Sequence, residues 1–79
     1  MKRHPQLAAI GNHIRALRKA KGYSQESFAN EVAFGRSYYC GVERGDRNVS
    51  VINLIRIAVA LEVEAGDLFP PTHSLRKEV

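Results

Sequence analysis

Cys40 is the only cysteine in 79 residues, so the chain cannot close an intramolecular disulfide and carries no sign of an oxidising compartment. With no evident activating neighbour, that thiol reads as inert. Long apolar runs are missing as well. The start has no apolar segment of the export kind, so neither a membrane span nor a secretion signal is expected, and the cytoplasm is the expected location. His4, His13 and His73 are too scattered for metal-ligand spacing. Ser24, Ser27, Ser37 and Ser50 have no His and acid placed to complete a triad. There is no phosphate loop, and so short a chain does not wall off a dry cleft. No enzyme, no metal and no cofactor are therefore expected.

The first 22 residues contain no acid at all, while Lys2, Arg3, Arg15, Arg18, Lys19 and Lys21 fall there; from Asn48 to Leu75, Arg56 alone stands against Glu62, Glu64 and Asp67. One end of the fold is expected to be positive and the other mildly negative. In total, twelve Lys and Arg against eight Asp and Glu leave a net charge of +4, which suits a polyanionic partner without requiring one. The length predicts a single domain, 1–79, with a core over about 7–69. A domain this small buries so little of its surface that sharing an apolar face with a second copy becomes an expectation.

Leu7, Ile10, Ile14 and Leu17 recur at helical spacing and predict an amphipathic helix from Leu7 to about Lys21, ended by Gly22. Ser24 offers a hydroxyl cap to a second, short helix with Phe28, Ala29 and Val32 on its inward side. After Ala33-Phe34-Gly35 a third helix runs from Arg36 to Arg44 and stops at Gly45. Asp46 to Val49 is a polar loop, and Ser50 caps a fourth helix reaching about Leu61. Glu64 to Phe69 reads as a last helical turn or two closed by Pro70 and Pro71, and 72–79 as a frayed tail. No strand-like alternation or repeat appears. The fold class is all-α, a compact bundle of five short helices.

Two helices joined by a tight turn, the second exposing polar groups, make a helix-turn-helix whose second helix fits a major groove about 12 Å wide. With Tyr39 set at zero, Val42 lies at about 300° and shares its inward face, while Ser37, Gly41 and Arg44 cluster at roughly 140–200°, directly opposite. Arg36 and Tyr38 flank that outward stripe. Arg36 suits the guanine O6 and N7 acceptors, Ser37 is a less selective reader, and Tyr38 suits a thymine methyl or a phosphate. Gly41 is expected to let the duplex approach the helix backbone. Ser24 and Gln25 opening the second helix, Arg44 closing the third, and Arg47 with Asn48 in the loop are the candidate phosphate grips. Arg15, Lys19 and Lys21 read as a solvated basic face, and the bland alternative for the whole motif is a structural hairpin with a solvated stripe.

From Ile14 to Phe69 the chain resembles the phage-repressor-like, or Xre-type, helix-turn-helix family. Ser24-Gln25-Glu26, Val42-Glu43-Arg44-Gly45, Arg47-Asn48 and Asp67-Leu68-Phe69 carry that resemblance. The run RSYYCGVERGDRN, Arg36 to Asn48, is similar to the subgroup that includes the controller proteins of restriction–modification systems. The resemblance implies a homodimer on a double-stranded operator with two related half-sites, contacted by Gln25, Arg36, Ser37, Tyr38, Arg44, Arg47 and Asn48. It also implies an ion pair between Arg18 and Glu43, both of which fall at the edge of a buried helix face on the wheel. Two positions depart from the family pattern. Ala33 stands where Gly is usual, and Gly35 replaces the usual Ser, Thr or Asp cap; a shifted turn would let Gly35 take the left-handed conformation.

On the fourth helix, Leu54, Ile57, Ala58 and Leu61 occupy one face and Ile52, Ile55 and Val59 the opposite one. The first is expected to be core. The second, with Val63 and Leu68, is the expected dimer interface, unless the N-terminal segment or the last helix covers it. The competing functional class is a DNA-binding antitoxin with a toxin-binding extension, for which the residues after Pro71 are few. RNA binding lacks an aromatic stacking platform.

Overall fold

The computed structural model describes residues 4–76; Lys2 and Arg3 of the basic cluster, and 77–79 of the tail, lie outside the described residues. Helix α1 spans Pro5–Ala20, α2 Gln25–Glu31, α3 Arg36–Arg44 and α4 Val51–Leu61, followed by a 3₁₀ turn, Ala65–Leu68, and a one-turn helix α5, Thr72–Leu75. Among the described residues there is no strand. Helix α1 begins two residues before the expected Leu7, because the His4 ring accepts the Gln6 amide at 3.1 Å and Pro5 sits in the first turn, where a missing N–H leaves nothing unpaired. Ser24 and Ser27 form a reciprocal capping box at the start of α2, with bonds of 3.0 and 2.9 Å.

The first four helices end alike. Each closes with an amide just past the helix bonded to a carbonyl five positions back: Tyr23 to Arg18, Phe34 to Ala29, Asp46 to Gly41, and Val63 to Ala58. This Schellman closure places the preceding residue in the left-handed region, and those residues are Gly22, Ala33, Gly45 and Glu62. The expectation of a shifted turn between α2 and α3 is therefore corrected. Ala33 itself adopts φ 60°, while Gly35 is an extended N-cap with φ −62°. The Schellman bonds of α2 fix that location, and a non-glycine residue there carries about 1–2 kcal/mol of backbone strain. Gly45 is constrained twice over, since it has φ 86° and a Cβ there would run into the Ala8 backbone at 2.5–2.6 Å. That bare contact brings α1 tightly against the end of α3.

The core is built from Ile14, Phe28, Tyr39, Ile57, Leu61 and Leu68, all fully buried. The Phe28 ring meets Tyr23 and Tyr39 edge-on at centroid distances of 5.1 and 5.4 Å. Two sequence expectations are corrected here. Leu68, expected at a dimer interface, is a core residue, because the 3₁₀ turn folds back onto α4 and α1 and points it inward; Val63, beside it, is half-buried against the same core. The tail expected to fray is helical over Thr72–Leu75: Pro71 closes the preceding segment but also opens a new helical turn. Ser74 Oγ donates to the Pro71 carbonyl at 2.7 Å, and Gln6 Nε2 donates to the Leu75 carbonyl at 3.2 Å.

Candidate nucleic-acid interface

The inner side of α3 is held by one carboxylate. Glu43 accepts from Arg18 Nε at 2.7 Å and Nη2 at 3.3 Å, from the Gln25 amide at 3.1 Å, and from the Tyr39 hydroxyl. Arg18 Nη1 then donates to the Tyr23 carbonyl at 2.8 Å. Arg18 and Glu43 are each about 5% exposed, so this is a desolvated ion pair, and each guanidinium nitrogen and carboxylate oxygen has a hydrogen-bond partner, as a buried pair requires. The hydrogen bond from Arg18 to Glu43 raises the guanidinium pKa further above its ordinary range. Burial first, then the bond to Glu43, push the Tyr39 phenol well above its ordinary 10.0, so it stays a donor. The i, i+4 spacing of Tyr39 and Glu43 was the available signal for this contact, which sequence reasoning missed by treating Tyr39 as core alone.

The outer side is different. Arg36 and Ser37 are exposed at the start of α3, and Arg47 and Asn48 are exposed in the loop that follows. Arg44 is exposed and pairs with Asp46 at 2.6 Å. Tyr38 is half-buried; its hydroxyl accepts from Asn53 Nδ2 at 3.1 Å and its ring meets Phe34 edge-on at 5.4 Å. Arg56, also on α4, lies 4.8 Å over the Phe34 ring and donates to the Val32 carbonyl at 2.5 Å. Neither Asn53 nor Arg56 was singled out from the sequence, because their partners are distant in the chain.

Three of the sequence assignments change with this geometry. Ser24 is fully engaged as a cap, accepting the Ser27 amide and donating to Ser27 Oγ at 2.9 Å, which leaves its side chain no hydrogen for a phosphate. Gln25 turns inward to Glu43 and keeps one amide hydrogen. Gly41 is buried rather than open to an approaching duplex, because the Arg47 side chain lies over it.

A helix-turn-helix family model matches residues 14–68, the span that holds α2, the turn and α3. The chain belongs to that family of DNA-binding transcription regulators, in its Xre-type branch. It is 45% identical to control protein C.MunI of a Mycoplasma species over 76% of this chain and 82% of that one. The crystal structure of the restriction–modification controller protein C.AhdI from Aeromonas hydrophila superposes with a TM-score of 0.80 at 47% identity, over 84% of this chain and all of that one. The structure of the biofilm regulator SinR in complex with DNA gives a TM-score of 0.71 at 33% identity, over 75% of this chain and 95% of that one.

In this helix-turn-helix regulator, α4 leaves an apolar face open. Val51 and Val59 are 71% exposed, Ile52 67% and Ile55 45%. Among the described residues, neither the segment from His4 nor α5 covers that face. No described helix is long and apolar enough to cross a membrane.

Proposed function

We propose that this chain is a sequence-specific transcriptional regulator that binds a duplex operator of two half-sites as a homodimer, with α3 lying in the major groove. One observation carries the reading. On the helix whose inner face is held by Glu43, the Arg36 and Ser37 side chains are exposed and make no hydrogen bond or ion pair within the chain among the described residues. Arg36 offers the bidentate donor pair that fits guanine O6 and N7, and Ser37 supports the adjacent base. The Tyr38 hydroxyl, already accepting from Asn53, has its own hydrogen left for a phosphate oxygen. Arg44, Asn48 and the second amide hydrogen of Gln25 hold the backbone on either side.

The open face of α4, Ile52, Ile55 and Val59 with Val51, is the surface a second copy covers, through a self-complementary two-fold contact. Two reading helices about 34–36 Å apart then meet successive turns of one groove. The likeness to C.MunI and C.AhdI supports a controller of a restriction–modification operon as the finer assignment. A methyltransferase and an endonuclease gene beside this one would fit it.

Selection from a random duplex pool tests the reading. The expected result is enrichment of an inverted repeat, bound with an affinity that falls steeply with salt as phosphates are neutralised. Sedimentation at the binding concentrations is expected to give a dimer. A pool returned without enrichment, or a strict monomer with and without duplex, would overturn it.

A further inference from the structure

Gly41 stands on the outward stripe of α3, one turn beyond Ser37, and yet it is buried. What covers it is Arg47, returning from the loop after α3. A Cβ at position 41 would lie 2.7 Å from Arg47 Cγ, 3.6 Å from Cδ and 3.4 Å from Nε. Three successive atoms of one side chain therefore hug the same point on the helix, so the stem runs along α3 instead of pointing away from it. No hydrogen bond or ion pair of the guanidinium holds it there among the described residues. Its apolar stem lies against the bare helix at Gly41, as long cationic side chains cover apolar surface while the head stays in water.

We infer that Gly41 is a positioning residue for DNA recognition: its missing side chain is the seat of the Arg47 stem, and that seat keeps the guanidinium on the groove-facing stripe of α3. The inference rests on α3 being the groove-facing helix. It replaces two expectations together. Gly41 does not serve to admit the duplex against the helix, and Arg47 acts with Arg36 and Ser37 rather than as a grip on phosphates outside the groove.

The test compares wild type with Gly41→Ala, Arg47→Ala and the double variant. Each is measured on the duplex that wild type selects from a random pool and on an unrelated duplex of equal length. Alanine favours a helix over glycine and Arg47 is exposed enough to swing aside, so Gly41→Ala is expected to melt no lower than wild type. It is expected to lose about tenfold in discrimination between the two duplexes, within the range of one bidentate base contact. In the Arg47→Ala background the same change is expected to do nothing, since no stem is left to displace. Without DNA, Nε relaxation of Arg47 is expected to report a restricted stem in wild type and a freed one in Gly41→Ala.

An equal loss from Gly41→Ala in both backgrounds would return the glycine to the role of admitting the duplex, and the inference fails. It fails too if Gly41→Ala discriminates as wild type does or leaves the Arg47 relaxation unchanged. If wild type itself selects no duplex, the reading of α3 falls and takes this inference with it; that outcome is separable because it appears before any variant is made.

Discussion

Arg18 and Arg36 are the same side chain in opposite circumstances. Arg18 rises from α1 into the interior and divides its donors between Glu43 and the Tyr23 carbonyl, whereas Arg36 opens α3 on the surface and binds nothing within the chain among the described residues. Both are tied to α3, one from behind through Glu43 and one in front. A buried charge is tolerated only when it is paired and its nitrogens find acceptors, so Arg18 is legible as architecture. An exposed fork on a helix clamped from behind costs the fold nothing and is available to another molecule.

Removing the inner charge is the largest way to break that contrast. Glu43→Ala strands Arg18 in the interior and is expected to cost about 3–5 kcal/mol in urea unfolding; a variant as stable as wild type would mean that the pair is not desolvated. Arg36→Ala is expected to leave stability within about 0.5 kcal/mol. It should lose about 1–3 kcal/mol of discrimination against a duplex with the guanine replaced, measured by competition.

Alkaline titration sharpens the inner side. The Tyr39 phenol holds its proton more tightly folded than unfolded, so its contribution to stability is complete below pH 10 and is lost as pH rises, because the unfolded chain ionises first. Relative to Tyr39→Phe, wild type is expected to lose up to about 1.4 kcal/mol per pH unit above 10, and parallel stability curves would refute the contribution. Smallest is Ala33→Gly, expected to raise stability by about 1 kcal/mol or somewhat less, as left-handed strain is relieved and chain entropy partly offsets it. A thermal melt that moves down would show that the alanine is not strained.

Helix ends were the most legible part of the fold, because Ser24, Ser50 and Gly45 declare caps through chemistry local to the chain. The stripe on α3 was also readable, since the angle between Tyr39 and Ser37 follows from helix geometry alone. What escaped were contacts in which a distant side chain claims a group that looked free. Gln25 was assigned outward and is drawn inward by Glu43, Gly41 is roofed by Arg47, and Tyr38 is steadied by Asn53. Leu68 failed for a related reason. Its apolar character was read correctly, but a 3₁₀ turn decides which way so short an element faces, and no periodicity over four residues can tell. Pro71 carries two meanings at once, stop and start, and the start is set by the Ser74 bonds back to its carbonyl, which its ring alone does not announce.

Asn53 and Arg56 sit on the same helix as the open apolar face, and they grasp Tyr38 and the ring of Phe34 at the far side of the turn. If a second copy seats itself against Ile52 and Val59, the pairing surface and the reading helix move as one rigid body. The two protomers would then act like fixed calipers, whose span is set before any operator arrives, and a sequence with its half-sites a base pair too near or too far would be refused for its length alone.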